Sequence, residues 1–348
     1  MDTSSLSGFL ASFPEPIFVV TDGNVNSRVL PLFNDCKSVA EAPRYILPPG
    51  EDSKNAQNLI ALWRWLADNG ATRSSLLLNI GGGMVSDIGG FAAATFMRGI
   101  SYANIPTTLL AAIDAAIGGK TAIDLGPLKN QVGAFAMPAK VFQFSDPLAT
   151  LPPSELLSGL GEMLKYGLIA SPLLYRAVLN LLPDIRQPGF DTGILTPHIL
   201  ECAAIKERIV AADPTEKGLR KVLNFGHTAA HAYESHALEK NGSPLPHGVA
   251  VAHGLLVELI LSHTILGFPS SELYPLAMVL KEYFPATGAT CKDNDRLIEI
   301  MVHDKKNPAP DHINFTLLKA IADPETDQYA TPEEIATALD IHRDLTAL

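Results

Sequence analysis

Four residues have the types and spacing to hold a divalent metal ion. His227 and His231 stand four apart in KVLNFGHTAAHAYESH, so a helix there presents both imidazoles on one face, the usual way a helix offers nitrogen donors to a metal. His247 follows in SPLPHGVAVAHG and Glu162 lies in the apolar segment GLGEMLKYGLI, so a mixed nitrogen and oxygen site for zinc or a related ion is chemically reasonable. Three protein ligands leave room for substrate. In a chain with 10 histidines, however, a His-x3-His pair also arises by chance, and spacing alone leaves open which of the four residues bind.

A second set is cationic. Lys120 in LLAAIDAAIGGKTAID and Lys165 in GEMLKYGLI are flanked by apolar residues, so burial is expected, and a buried ammonium needs an anionic partner. Arg98, Lys129, Lys206, Arg220 and the pair Lys305 and Lys306 sit beside glycine, asparagine or apolar runs, which suits a substrate carrying both phosphate and carboxylate. Taken singly, each cation equally well caps a helix or pairs with a nearby acid. Only their convergence in space makes a site.

A third feature is the run GGGMVSDIGG at 81–90, which follows an apolar strand-like segment and opens a helical one. Glycines there let backbone N–H groups approach a pyrophosphate at a helix N-terminus. It departs from the usual dinucleotide fingerprint, because Ser86 stands where the third glycine of G-x-G-x-x-G would fall. A tight strand-to-helix turn explains the glycines equally well, although Asp87 within the loop favours function.

The elements that must position these residues are legible in outline. PIFVVT (16–21), PRYIL (43–47) and SSLLLNI (74–80) are short apolar runs bounded by turn formers, with an amphipathic stretch at 56–69, and this alternation predicts a parallel sheet covered on both faces. Ligands are then expected beyond the carboxyl ends of the strands. After about residue 150 the apolar spacing becomes helical, at 155–183, 194–212, 222–238 and 248–265, and 145–155 reads as a proline-rich linker. The expected architecture is α/β: a Rossmann-like parallel-sheet nucleotide-binding domain at 1–150, then an α-helical metal- and substrate-binding domain at 151–348, with a helical tail at 325–348.

Composition narrows the class further. A net charge of −11 argues against non-specific binding of nucleic acid or anionic membrane, so any anion must be caught locally. Cys36, Cys202 and Cys291 are odd in number and form no CxxC pair, which indicates neither a disulfide framework nor a thiolate zinc site. The N-terminus lacks a basic region and a long apolar run, and the apolar stretch 248–268 is interrupted by His253, Glu258 and His263, so a soluble, cytoplasmic protein is expected.

Taken in order, GGGMVSDIGG, ATFMRGISYANIPTTLLAAIDAAIGGKT, LKNQVGAF, GEMLKYGLI, LRKVLNFGHTAAHAYE, PHGVAVAHG and DKKN resemble the successive motifs of the 3-dehydroquinate synthases, over roughly residues 48–310. The resemblance implies NAD, a zinc or cobalt ion and a homodimer. It places Asp22, Glu51, Lys54, Gly82, Gly83, Asp87, Thr107, Thr108, Thr150, Leu151 and Glu155 at NAD, with Lys129 near the cofactor. Glu162, His227 and His247 become the metal ligands, which leaves His231 to face the substrate. Substrate contacts implied are Asp114, Lys120, Asn130, Lys165, Lys206, Arg220, Asn224, His231 and Lys305, with Arg98 reaching a neighbouring subunit's phosphate. Ala122 and Asp124 stand in KTAID where KTGVN or a close variant is common, and Ala230 replaces the glycine of HTxGH.

The implied reaction is cyclisation of 3-deoxy-D-arabino-heptulosonate 7-phosphate, through transient oxidation at C5, elimination of phosphate, return of hydride and aldol closure. Sister sugar phosphate cyclases act on substrates without the carboxylate, and Lys206 and Arg220 argue against them. A metal-dependent polyol dehydrogenase would be similar in its cofactor half but would accumulate NADH. A non-catalytic binding module has no use for buried lysines beside a metal-like cluster.

Overall fold

The computed structural model describes residues 2–13, 16–126, 128–187, 189–243, 245–303 and 313–347. Two compact units form: Met1–Pro152 with Asp191–Glu207, and Pro153–Phe190 with Arg208–Leu348. The chain therefore returns once to the first unit and carries Lys206 with it.

In the first unit, β1 (Ile17–Asp22), β2 (Arg44–Leu47), β3 (Leu76–Gly81) and β4 (Ser101–Pro106) precede an antiparallel hairpin of β5 (Lys120–Leu125) and β6 (Leu128–Phe135) and the short β7 (Lys140–Val141). One parallel sheet results, ordered β2-β1-β3-β4-β7. The central β3 is covered on both faces, which is why LLLNIG is nearly continuous in apolar residues and buried throughout. Side chains alternate between faces. Phe18, Val20 and Leu77 pack with Leu59, Leu62 and Leu66 of helix Ala56–Asp68 and with Val85 and Ile88 of helix Gly83–Thr95. Val19, Leu78 and Ile80 pack on the other side with Leu6, Val25 and Phe33.

Two buried asparagines fix the strand ends that matter for a ligand. Asn79 and Asn104 are directly paired across β3 and β4, where Asn79 Nδ2 donates to Asn104 Oδ1 at 2.9 Å and Asn104 Nδ2 donates to the Ala116 carbonyl at 2.9 Å. A slip in register would strand these amides in the core, so the pairing sets the loops after both strands. Strand order reverses between β1 and β3, the position at which open α/β sheets leave a crevice at their carboxyl ends.

In the second unit, helix His247–Leu266 is long and apolar enough to cross a membrane, but 78% of its apolar window is buried within the fold. Helices Pro153–Ala170, His227–Asn241 and Pro332–Thr346 pack against it, as does a strand. That strand corrects the expectation of helix from 325 onward: β8 (Ile313–Ala320) and β9 (Asp323–Ala330) form an antiparallel hairpin, and the last helix begins at Pro332. The helix expected from 222 starts at His227, because Gly226 adopts φ +83 and ends the 3-10 turn Leu219–Asn224. The stretch 155–183 is likewise two helices, since Ser171 caps a new one that opens with Pro172.

A buried polar chain fastens that last helix. His253 Nε2 lies 2.9 Å from the Pro285 carbonyl, so it donates; His253 Nδ1 then accepts from His342 Nε2 at 2.9 Å, and His342 Nδ1 accepts from the Tyr233 hydroxyl at 3.4 Å. Each ring is neutral in this arrangement. Burial lowers His253 to about 4 and holds His342 well below the ordinary imidazole value, with His253 and Arg343 adding to the second shift. The unfolded chain takes up these protons near pH 6.5 and the native one does not, so stability is complete above that value and is lost as pH falls toward 4. We expect about 3 kcal/mol from His253 alone. Urea unfolding of wild type and His253→Gln between pH 7 and pH 4.5 checks this, and parallel profiles for the two proteins would refute it.

Candidate functional site

The metal-like cluster lies wholly in the second unit. Carboxylate and imidazole atoms of Glu162, His227 and His247 all fall within 4.8 Å of one another. Glu162 comes from the middle of helix Pro153–Ala170, whereas His227 and His247 are each the first residue of their helices. Glycines beside these three residues set the spacing. A Cβ on Gly161 would stand 1.9 Å from the Gly248 carbonyl oxygen, and one on Gly254 would stand 2.0 Å from that of Gly226. The three helices thus touch backbone to backbone next to each ligand, as only glycine allows.

Hydrogen bonding assigns the imidazole tautomers. His227 Nδ1 faces the Phe225 carbonyl at 3.2 Å and can only donate to it, which leaves Nε2 bare at 3.2 Å from Glu162 Oε1. His247 presents Nδ1 to Glu234 Oε1 at 3.4 Å and Nε2 to the same Glu162 oxygen at 3.1 Å. Lone pairs meeting at these distances repel, and a cation held between them would remove the repulsion. Burial, then Lys165, lowers His227 to about 4; His247 is opposed by burial but raised to about 10 by Glu234 and Glu162. Without metal, His247 therefore carries the proton. An oxygen donor and two nitrogens, each imidazole backed by an acceptor, fit zinc or cobalt.

Glu162 divides its two oxygens. Oε1 faces the imidazoles and Oε2 lies 2.6 Å from Lys165 Nζ, with neither side chain more than 1% exposed. Burial disfavours the carboxylate, but Lys165 and His227 hold Glu162 well below the usual range. Lys165 thus has the partner its apolar setting demanded. His231 is half-buried with its ring 5.7 Å from that of His227, one turn along the same helix and outside the ligand triad. Arg220 and Asn224 lie on the 3-10 turn just before the His227 helix: Arg220, 1% exposed, donates to the Pro214 carbonyl at 2.7 Å, and Asn224 donates to Glu216 at 2.8 Å.

In the first unit, predicted contacts gather at the carboxyl ends of β1, β3 and β4. Helix Gly83–Thr95 opens with Gly82 and has no capping side chain, so its first N–H groups are open to an anion. A Cβ on Gly82 would come within 3.0 Å of Thr108 and one on Gly83 within 3.2 Å of Ala115, so the cradle is lined closely. Thr107 donates its N–H to the Gly81 carbonyl at 2.9 Å, tying the two loops together. Lys54, 3% exposed, is the hub: it pairs with Glu51, lies 3.2 Å from Asp87 and 3.7 Å from Asp124, and donates to Asn130 at 2.8 Å. Burial raises Asp87 to about 7 against the pull of Lys54. Lys206, arriving on the return segment, donates to the Asp114 carbonyl at 2.7 Å and pairs with its carboxylate.

Other predicted residues are placed differently. Lys120 is exposed, against the expectation of burial, because it begins β5 opposite exposed Phe135 at the hairpin's open end. Asn130, expected at the substrate, joins the Lys54 cluster of the first unit. Asp22 spends Oδ1 on the N–H groups of Asn24 and Val25, capping its own short helix. Thr150 and Leu151 end a 3-10 turn in the first unit, whereas Glu155 is exposed on the first helix of the second. Lys129 is exposed on β6, and Lys305 lies outside the described residues.

Residues 44–158 match the family of 3-dehydroquinate synthase N-terminal domains and residues 159–307 that of the C-terminal domains. A 3-dehydroquinate synthase of Parabacteroides distasonis is 45% identical over 342 residues, covering 98% of this chain and 95% of that protein. The chain belongs to the 3-dehydroquinate synthase family. Another such synthase, from Thermococcus kodakarensis, is 39% identical across 78% of this chain and 73% of its own. The fold is shared more widely. A 2-deoxy-scyllo-inosose synthase complexed with carbaglucose-6-phosphate, NAD+ and Co2+ superposes with a TM-score of 0.81 at 24% identity, covering 98% of this chain and 95% of the other. A 2-epi-5-epi-valiolone synthase from Streptomyces hygroscopicus, with NAD+ and Zn2+ bound, gives 0.79 at 23% over 96% and 94%.

The structure adds residues to the 3-dehydroquinate synthase motifs. Asp124, one of the departures, accepts the Asn130 N–H at 2.7 Å and holds that residue at φ +54 beside Lys54. Glu234, which backs His247, and Glu216, which holds Asn224, were not singled out from sequence. Their partners are set by folding of one helix or turn on another, and no spacing signals that.

Proposed function

We propose that this chain is a 3-dehydroquinate synthase that uses NAD and a zinc or cobalt ion to convert 3-deoxy-D-arabino-heptulosonate 7-phosphate to 3-dehydroquinate and phosphate, a step of the shikimate pathway. The observation that carries the metal half is the bare His227 nitrogen facing a Glu162 oxygen at 3.2 Å. NAD, when bound, supplies reversible hydride transfer, and the metal supplies Lewis acidity toward a substrate hydroxyl. The uncapped N-terminus at Gly82 and Gly83 would take the pyrophosphate, and Asp87, Lys54 and Asn130 would order the rest of the cofactor. Glu162, His227 and His247 would hold the ion, with Lys165 keeping Glu162 ionised.

Lys206, Arg220 and Asn224 are the preferred anchors for the substrate's anionic groups, which turns ring closure into an oriented intramolecular step. His231, beside the ligands but not among them, would move a proton on a substrate oxygen. Arg98 is exposed at the far end of the glycine helix, about 20 Å from its N-terminus at 1.5 Å per residue, which suits service to a neighbouring subunit. The exposed Phe135 and Met137 nearby favour a homodimer through this unit, and three cysteines outside any disulfide suit a reducing cytoplasm.

The test is phosphate release from this substrate with catalytic NAD, with and without a chelator, while absorbance of the reduced nicotinamide is followed. Phosphate without net reduced cofactor, lost on chelation, is expected. Failure to release phosphate, or steady accumulation of NADH, refutes the synthase reading.

A further inference from the structure

The helices led by His227 and His247 share an electrostatic problem. A helix start leaves four N–H groups unpaired and carries roughly half a positive charge, and here each start sits at a residue proposed to bind a cation. Neither helix caps itself, since the residues before the ligands are Gly226 and Pro246. For the His247 helix the Ser158 hydroxyl accepts the Gly248 N–H at 3.0 Å. For the His227 helix the cap is a carboxylate from the other ligand helix. Glu258, fully buried, accepts the Gly226 N–H on Oε2 at 2.6 Å and the N–H groups of Thr228 and Ala229 on Oε1 at 3.1 and 3.4 Å.

These bonds bracket His227 in sequence, with one donor before it and two after. Resting on the metal reading above, we propose that Glu258 is a positioning residue for His227. Its two oxygens fix the backbone from which the imidazole projects toward Glu162, and its charge offsets the positive helix end beside the ion. From sequence alone Glu258 is only an ionisable interruption of an apolar stretch; the cap exists because Gly226 and Gly254 let the two helices approach in backbone contact.

Glu258→Gln keeps the volume and one acceptor oxygen but removes the charge and one bond set, so it is the variant of choice. Zn(II) affinity of purified protein, read by competition with a chromogenic chelator, should weaken about 10- to 100-fold, the range for a residue acting through a metal ligand. In metal-free protein the Thr228 and Ala229 amides should exchange faster with deuterium, by about 10-fold for each 1.4 kcal/mol of lost capping. Leu339→Ala, a buried truncation in the last helix, serves as the control for general loosening, and should lower thermal stability without changing Zn(II) affinity. Zn(II) affinity of Glu258→Gln within a factor of about three of wild type, or a loss that Leu339→Ala equals, overturns the proposal and leaves the metal reading intact. Failure of wild type to bind Zn(II) at all overturns both.

Discussion

Glu162→Gln should lose phosphate-releasing activity by about 10³-fold, since a Lewis acid is worth several kcal/mol and each 1.36 kcal/mol is a decade in rate. The same change should destabilise the metal-free protein. A neutral amide at this position cannot balance Lys165, which is 1% exposed, and breaking one partner of a buried ion pair costs about 3–5 kcal/mol. The two effects separate in the double variant Glu162→Gln with Lys165→Met, in which no buried charge is left alone. Its chemical denaturation midpoint should return most of the way to wild type while phosphate release stays absent. Activity surviving in the single variant, or no recovery of the midpoint in the double, would show that Glu162 is not shared between ion and lysine as described.

Gly248→Ala should be nearly as damaging, although alanine is the better helix former by about 1 kcal/mol. The added Cβ would lie 1.7 Å from the Ser158 carbonyl oxygen, backbone against backbone, and no side-chain rotation relieves that contact. Helix His247–Leu266 must then move away from helix Pro153–Ala170, separating His247 from Glu162. An overpacking cost of about 1–3 kcal/mol or more, with a Zn(II) affinity at least about tenfold weaker, is expected. Gly8→Ala is the contrast: Gly8 lies in helix Ser4–Leu10 with nothing within 4 Å of its Cβ position, so alanine there should stabilise by about 0.5–1 kcal/mol. Thermal unfolding of both variants decides the matter, and equal behaviour would count against the close helix contact.

The sheet was legible because β1 and β3 are buried enough to read as short apolar runs between turn formers, and β2, of which only Leu47 is buried, still shows a short apolar run after Pro43. The hairpin β8–β9 was not, because its turn at Ile321 and Ala322 lacks the glycine or asparagine that would announce it, although Ala322 adopts φ +66. At the metal cluster, spacing favoured His227 with His231, the pair that one helix presents. The structure instead brings His247 to His227 from the start of another helix, a partnership that periodicity cannot express and that only the family motifs implied. Of the two lysines recognisable as cations in need of a partner, Lys165 is buried and Lys120 is not, and the identity of Lys165's partner, Glu162, had to come from three dimensions, as did the pairing of Lys206 with Asp114. Glycines 161, 248 and 254 gave no sign that they set a distance, since a helical glycine signals a local cost and its crossing partner is remote in sequence.

That both imidazoles sit on first turns capped by other helices bears on the order in which the protein is made. His227 and His247 start consecutive helices and Glu162 lies on an earlier one, so the set of three forms only once these helices have docked and closed their backbone contacts. On the proposed metal reading, the ion would join a site whose helices have already docked. Metal-free chain would then be folded and inactive, and adding Zn(II) to it would restore phosphate release without refolding.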